Sequence, residues 1–268
     1  MAEELPSTTP RPEAVAPVAN PRAVDASRGA AWWSEGWRLF TPAVGPWILI
    51  VVIGVVLHLI LAFIPILGSI ASQLLFPILA GGLMLGCRAI DRGEPLSISH
   101  LFAGFGPRGG SLLIVALIYI VATIAIIILV VALLFAFFGA AMLSQLWSTR
   151  DSISDGAILG GLALAVLVGL LLFLLFYLPL VMAVWFAPAL VVLQGAEPWA
   201  AMKLSFDGSL KNILPFLIYG VVGIALAIVA TIPLLLGWLV LGPVTVASVY
   251  ASYCDIFEPP AAVSVASV

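Results

Sequence analysis

The side chains that could do chemistry in this 268-residue chain are few, and they gather outside its apolar stretches. Arg88, Asp91, Arg92 and Glu94 fall within seven residues, Lys203, Asp207 and Lys211 recur every four residues, and Asp255 stands near the C-terminus. If the apolar segments pack as a bundle, these eight groups form a ring of opposite charges around one end. Such a ring suits anionic headgroup binding or docking of a partner, each basic residue contributing roughly 1 kcal/mol near an anionic surface. It equally suits solvated charge that sets topology. Inside the apolar stretches the candidates are His58 and Gln73. His58 has no carboxylate or second histidine at its depth, so a neutral ring bonded across a helix interface is expected. Gln73, beside Ser72, is expected to line a polar cavity or to bond a neighbouring helix. His100 follows Ser97 and Ser99 with no ligand spacing, which suits capping or interfacial exposure.

Catalytic patterns are missing. No Ser/His, paired-Asp or HExxH arrangement can be assembled from the apolar segments. Gly104 to Gly110 encloses Phe105 and Pro107 and lacks the Gly-Lys-Ser/Thr of a phosphate loop. Cys87 and Cys254, the two cysteines, belong to no CxxC or Cys/His cluster, so neither a disulfide nor a metal site is expected. A noncatalytic protein follows, with no metal, no cofactor and no nucleic-acid partner.

What must position these groups is a set of membrane helices. Charged residues make up 9% of the chain against about 25% in soluble domains, hydrophobic residues 63%, and mean hydropathy is +1.26. The net charge of -3 reflects Glu3, Glu4 and Glu13 near the N-terminus and says little about partners. Apolar runs bounded by Pro, Gly or charge predict six spans: Trp47 to Phe63, Ile66 to Ile90, Ser111 to Leu143, Ala157 to Gln194, Ile213 to Ile232 and Leu234 to Ile256. The expected fold is therefore all-α, a polytopic transmembrane helical bundle. Tight turns at Ile64-Pro65 and at Pro233 make the first and last pairs hairpins. Ser111 to Leu143 would run about 50 Å as a helix, beyond the hydrocarbon thickness, so the middle hairpin must tilt, break or protrude.

Each hairpin's second helix holds a Pro followed by a Glu-Pro pair: Pro77 with Glu94-Pro95, Pro179 with Glu197-Pro198, Pro243 with Glu258-Pro259. A short aromatic or amphipathic segment precedes each hairpin, at Ala31 to Phe40, Ser97 to Phe105 and Pro198 to Asn212. Trp33, Trp37 and Phe40 are expected to share a face in the first, and Trp199, Met202, Phe206 and Ile213 in the third, so that these helices lie in the interface. Three modules result, about 31-94, 95-197 and 198-257, within one transmembrane domain 31-257. Residues 1-30, rich in Pro and Ala without a signal-like apolar core, and residues 258-268 are expected to be disordered tails. Gly81, Gly82 and Gly86, and Ala247 with Ala251, suit close helix packing.

Nine of the ten basic residues fall on one side of the six-span arrangement and Arg150 alone on the other, which predicts cytoplasmic termini. A seven-span alternative, splitting the fourth segment into Ala157 to Leu178 and Leu180 to Gln194, would place Lys203 and Lys211 outside.

The segments GGLMLGCRAIDRGEP (Gly81 to Pro95), HLFAGF (His100 to Phe105), FAPALVVLQG (Phe186 to Gly195), AAMKLSFDGSLKNILPFLIYG (Ala200 to Gly220) and YASYCDIF (Tyr250 to Phe257) resemble a family of uncharacterised proteobacterial polytopic inner-membrane proteins. The likeness spans approximately Trp33 to Phe257. It implies a bacterial inner-membrane location and brings no activity or functional residue with it. Cys254 stands where relatives often have Arg or Lys. KLSFDGSLKN distantly resembles the membrane domain attached to some glycerophosphodiester phosphodiesterases, which lacks their catalytic residues. The expected function is a membrane module that organises lipids, through anionic headgroups at its cytoplasmic face, or a membrane-protein partner. The alternative is a permease for a neutral or lipid-like molecule using His58, Gln73 and Pro-broken helices.

Overall fold

In the computed structural model, which describes residues 20–139 and 155–259, every regular element is helical. Among the described residues six helices are long and apolar enough to cross a bilayer, so the chain is an all-α polytopic membrane bundle. Helix α1 (Arg28–Phe40) passes through a 3-10 turn at Thr41–Ala43 into α2 (Val44–Ala62), and α3 (Leu67–Asp91) completes the first hairpin. Helix α4 (Ser99–Phe102) with the 3-10 turn Ala103–Phe105 leads into α5 (Gly109–Leu134), which loosens into a π-turn at Phe135–Gly139. Its partner α6 (Asp155–Trp185) is followed by α7 (Ala187–Gln194), α8 (Pro198–Lys211), α9 (Ile213–Thr231) and α10 (Trp238–Phe257).

The spans sit close to their expected places, with physical reasons for the differences. Helix α10 begins at Trp238 and not Leu234, because Leu234 and Leu235 have positive φ of 53° and 68° that no right-handed helix accepts. The expected third span runs past residue 139 and so lies partly outside the described residues. Pro179 stays inside α6, and the break comes at Phe186, where Pro188 has no N–H to give the Val184 carbonyl. Ser205 repairs that break. Its Oγ accepts from the Phe186 N–H at 2.9 Å and donates to the Met182 carbonyl at 2.7 Å. Because α6 runs unbroken past Pro179, the seven-span alternative is not what the chain builds.

The three short helices dock in a cycle. Helix α4 and its 3-10 turn pack on α3, α8 packs on α6 and α7, and α1 closes the ring on α9 and α10. Each one therefore rests on the second helix of a neighbouring hairpin. Two of the docks are backbone-to-backbone. A Cβ on Gly36 would lie 2.6 Å from Val244 O and 2.9 Å from the Ser248 nitrogen, and one on Gly104 would lie 1.8 Å from Ile78 O and 3.1 Å from the Gly82 nitrogen. Val244 and Ile78 each follow a helix proline directly, and Ser248 and Gly82 come four residues later, so the same rung receives the glycine both times.

This docking changes which faces are buried. In α1, Trp32, Trp33, Gly36, Leu39 and Phe40 are inside and Trp37 is exposed; in α8, Ala201, Met202, Ser205, Gly208 and Ser209 are inside and Trp199 is exposed. The expected faces joined Trp37 to Trp33 and Trp199 to Met202. Close approach at Gly36 in α1 and at Gly208 in α8 sets which side is buried, and in both helices that side excludes Trp37 and Trp199. The expected tail 1-30 also ends earlier. Residues 20–27 form a strap across the bundle end, with Arg22 N–H donating to Ile256 O at 3.0 Å. Fully buried Asn212 holds the strap from both sides, Nδ2 donating to Arg22 O at 2.9 Å and Oδ1 accepting from Val24 N–H at 2.8 Å. Residues 1–19 and 260–268 lie outside the described residues.

Candidate functional site: a charged collar

The C-terminal ends of α3, α7 and α10 come together at the strapped end of the bundle. Each leaves carbonyls without helical partners and a partial negative charge, so cations are favoured there. Arginines supply them. Arg88 pairs with Glu258 and reaches the Leu193 carbonyl of α7 at 3.4 Å. Arg22 Nε donates to the Asp255 carbonyl of α10. Arg108 lies against Gly195, the left-handed residue (φ +69°) that ends α7. Arg28 joins Asp255 Oδ2 at 2.5 Å to Glu35 Oε1 at 2.6 Å, and the Trp32 indole N–H donates to the same Asp255 oxygen at 2.8 Å. Arg38 meets Asp91 at 3.3 Å, and Lys211 Nζ donates to the strap carbonyl of Pro21 at 3.0 Å. On the strap, hydrogen bonds from the Ser27 side chain and N–H hold Asp25 below the usual carboxylate range.

The eight charged candidates therefore divide. Arg88, Asp91, Lys211 and Asp255 are engaged within the chain. Arg92, Glu94, Lys203 and Asp207 face outward, with Lys203 Nζ 5.6 Å from the Trp199 ring centroid. Sequence reasoning missed Arg22, Arg28, Glu35, Arg38, Asn212 and Glu258 as collar members. The available signal was that Arg22, Arg28 and Arg38 precede the first span while Asp255 and Glu258 follow the last, at the same end of an even-numbered bundle.

His58 and Gln73 do not behave as expected. Both are exposed on the outer surface of the first hairpin, without a partner among the described residues. Among the described residues neither side chain bonds across a helix interface, since the bundle packs small and apolar residues of α2 and α3 inward. The polar pairs that do form within the bundle are others: the Tyr119 and Tyr177 hydroxyls at 2.5 Å, Tyr219 with Ser248 at 2.8 Å, and Gln194 Nε2 donating to the Tyr253 hydroxyl at 3.0 Å. His100 Nδ1 accepts from the Ser97 N–H at 3.1 Å, a local capping role. Among the described residues no three His, Cys, Asp or Glu side chains converge as metal ligands would.

Around the collar, Trp37, Phe102, Phe105 and Trp199 are exposed, one or two from each short helical segment. The indoles of Trp37 and Trp199, apolar rings with a polar N–H, are characteristic of a membrane–water interface, and Phe102 and Phe105 add apolar surface beside them. An open cleft of about 380 Å³ lies beside them, between the α1–α2 junction and the α3–α4 turn, walled by Pro42, Val44, Pro46, Ile90 and Leu96 with Glu94 at its edge.

The geometry defines an integral multi-pass membrane protein with a collar at one end. The chain is 26% identical over 211 residues, covering 76% of its length and 75% of the other protein's, to a protein of Burkholderia thailandensis described as a probable inner membrane protein. No family model and no solved structure matches the chain. Nothing in these comparisons supports the likeness to the phosphodiesterase membrane domain.

Proposed function

We propose that this protein is a noncatalytic module of the bacterial inner membrane, both termini cytoplasmic, whose collar gathers anionic phospholipid around the bundle. The location rests on the similarity to a probable inner membrane protein and the orientation on the concentration of basic residues at the strapped end. A membrane-protein partner could bind the same rim, and no nucleic acid is involved.

One observation carries the reading: the collar uses most of its charge internally yet leaves Arg92 and Lys203 outward, in a belt with Trp37, Phe102, Phe105 and Trp199. Rings at the interface and cations reaching to phosphate are what a headgroup meets there. The outward carboxylates Glu94 and Asp207 temper the field, so the expected selectivity is modest. Placement of His58 and Gln73 on the outer surface weighs against the permease reading, which needed them along an internal path.

Replacing Arg92 and Lys203 together by Gln leaves the ion pairs of the collar intact. If each cation contributes about 1 kcal/mol, each replacement lowers anionic lipid retention about fivefold. Phospholipid analysis of protein purified in mild detergent reads this directly. An anionic-to-zwitterionic ratio unchanged between wild type and R92Q/K203Q contradicts the proposal.

A further inference from the structure

The turns at the end opposite the collar are made of residues that turns in water avoid. Phe63-Ile64-Pro65-Ile66 joins α2 to α3, and Ile232-Pro233-Leu234-Leu235-Leu236 leads from α9 to α10. Their side chains stand free of the bundle, Phe63 at 87% exposed and Leu234 at 89%. No Asp, Glu, Lys or Arg occurs between Arg38 and Arg88 or between Lys211 and Asp255, the stretches that contain these turns.

Most of the backbone of both turns is satisfied internally, the amides of Ile66 and Gly237 being the ones that donate to no backbone carbonyl. The amides of Phe63, Ile64 and Leu67 donate to Ile60, Leu61 and Pro65 carbonyls, and those of Leu234, Leu235 and Leu236 to Ile232, Thr231 and Pro233. Pro65 and Pro233 have no N–H to satisfy. Nearby side chains are closed too: Ser69 Oγ donates to Ile66 O at 2.8 Å, the Trp238 indole N–H to Thr231 Oγ1 at 3.2 Å, and Thr231 Oγ1 to Ala227 O at 2.8 Å. Internal satisfaction of this kind is required in hydrocarbon, where water cannot take up a free donor.

Backbone strain points the same way. Ile66, Leu234 and Leu235 have φ of 63°, 53° and 68°, a conformation costing an ordinary residue about 1–2 kcal/mol. In water-facing turns Asn or Asp takes such positions readily. A polar side chain turned into hydrocarbon loses roughly 2–7 kcal/mol, so there the strained Ile or Leu is the smaller penalty.

Length agrees. Helices α2 and α9 have 19 residues each, which at 1.5 Å per residue is about 28 Å against a hydrocarbon core of roughly 30 Å. Starting from the collar, both hairpins run out of helix just below the far headgroups. The middle hairpin is different. Gly109–Gly139 has 31 residues, about 46 Å, and the segment beyond it carries Arg150 and Asp151.

We infer that the α2–α3 and α9–α10 turns stay within the hydrocarbon of the far leaflet, packed against lipid acyl chains.

The test places single cysteines in the full-length chain in native membranes: Ile64→Cys, Leu235→Cys, and Asp207→Cys on the exposed face of α8 at the collar. A membrane-impermeant maleimide is applied to both faces, with wild type giving the background from Cys87 and Cys254. Labelling at 64 and 235 is expected to be at least tenfold lower in membranes than after detergent solubilisation, and at 207 the same in both. Less than tenfold protection at 64 or 235 overturns the inference. Nitroxides at 64 and 235 provide a second reading that does not depend on thiol reactivity. Collision with oxygen is expected to exceed collision with a water-soluble nickel chelate, and the reverse order overturns the inference.

Discussion

Gly104→Ala is expected to destabilise the bundle by about 3 kcal/mol, at the upper end of what overpacking costs. The added methyl would lie 1.8 Å from Ile78 O and 2.8 Å from Ile78 C, atoms of a helix backbone that cannot turn aside as a side-chain tip can. Gly36→Ala meets Val244 O at 2.6 Å and should follow with a smaller loss. Gly110→Ala, where nothing lies within 4 Å, is the control and should be neutral or slightly stabilising. Thermal unfolding in mild detergent orders the three. Equal midpoints for Gly104→Ala and Gly110→Ala would mean that α4 and its 3-10 turn do not dock on α3 as described.

The second large effect is expected at Asp255. Its carboxylate accepts from Arg28 at 2.5 Å and from the Trp32 indole at 2.8 Å, while its carbonyl accepts from Arg22. Asp255→Ala leaves the buried indole donor and the half-buried guanidinium without that carboxylate. Breaking a fully buried pair costs 3–5 kcal/mol, and partial exposure of both groups brings the expected loss to about 2 kcal/mol. Asp255→Asn should recover part of it, since an amide oxygen can still accept from Trp32. The strap reports the same event locally: proteolysis between residues 20 and 28 should speed up in Asp255→Ala and stay at the wild-type rate in Asp207→Ala, whose carboxylate faces outward. Equal cleavage in both would remove Asp255 from the collar's core.

Much of the fold was legible because a membrane span announces itself by length and lack of charge, and both are local properties. Turns at Ile64-Pro65 and Pro233 were legible for the same reason. The docks were not. Gly36 and Gly104 look like ordinary helix glycines until Val244 and Ile78, far away in the chain, are brought against them. The Pro and Ala content of the strap suggests a tail, whereas what orders it is Asn212, nearly 190 residues later in sequence. A break at Pro179 belongs only to the seven-span alternative. A lipid-exposed proline is tolerated in a membrane helix, whereas Pro188 sits where Ser205 can rebuild the interrupted rung.

The collar was half legible. Arg88, Asp91, Lys211 and Asp255 were marked by charge density, but density does not say whether a cation finds a carbonyl of its own chain or faces a lipid. Helix ends decide this. Arg88, Arg22 and Arg28 are drawn to the C-terminal ends of α7 and α10, and the charge left over is outward Arg92 and Lys203. His58 and Gln73 were singled out by type alone, and nothing local tells which side of a helix meets the bundle when hydrophobicity is nearly uniform around it.

The central claim is that Arg92 and Lys203 hold anionic lipid at the collar, and electron paramagnetic resonance of spin-labelled lipid in reconstituted bilayers tests it most directly. The fraction of motionally restricted label should be higher for phosphatidylglycerol than for phosphatidylcholine at low salt. The excess should shrink as ionic strength approaches 1 M, where the screening length falls to about 3 Å, and should be absent in R92Q/K203Q at any salt. Equal restriction of the two lipids by the wild-type protein at low ionic strength would contradict the account.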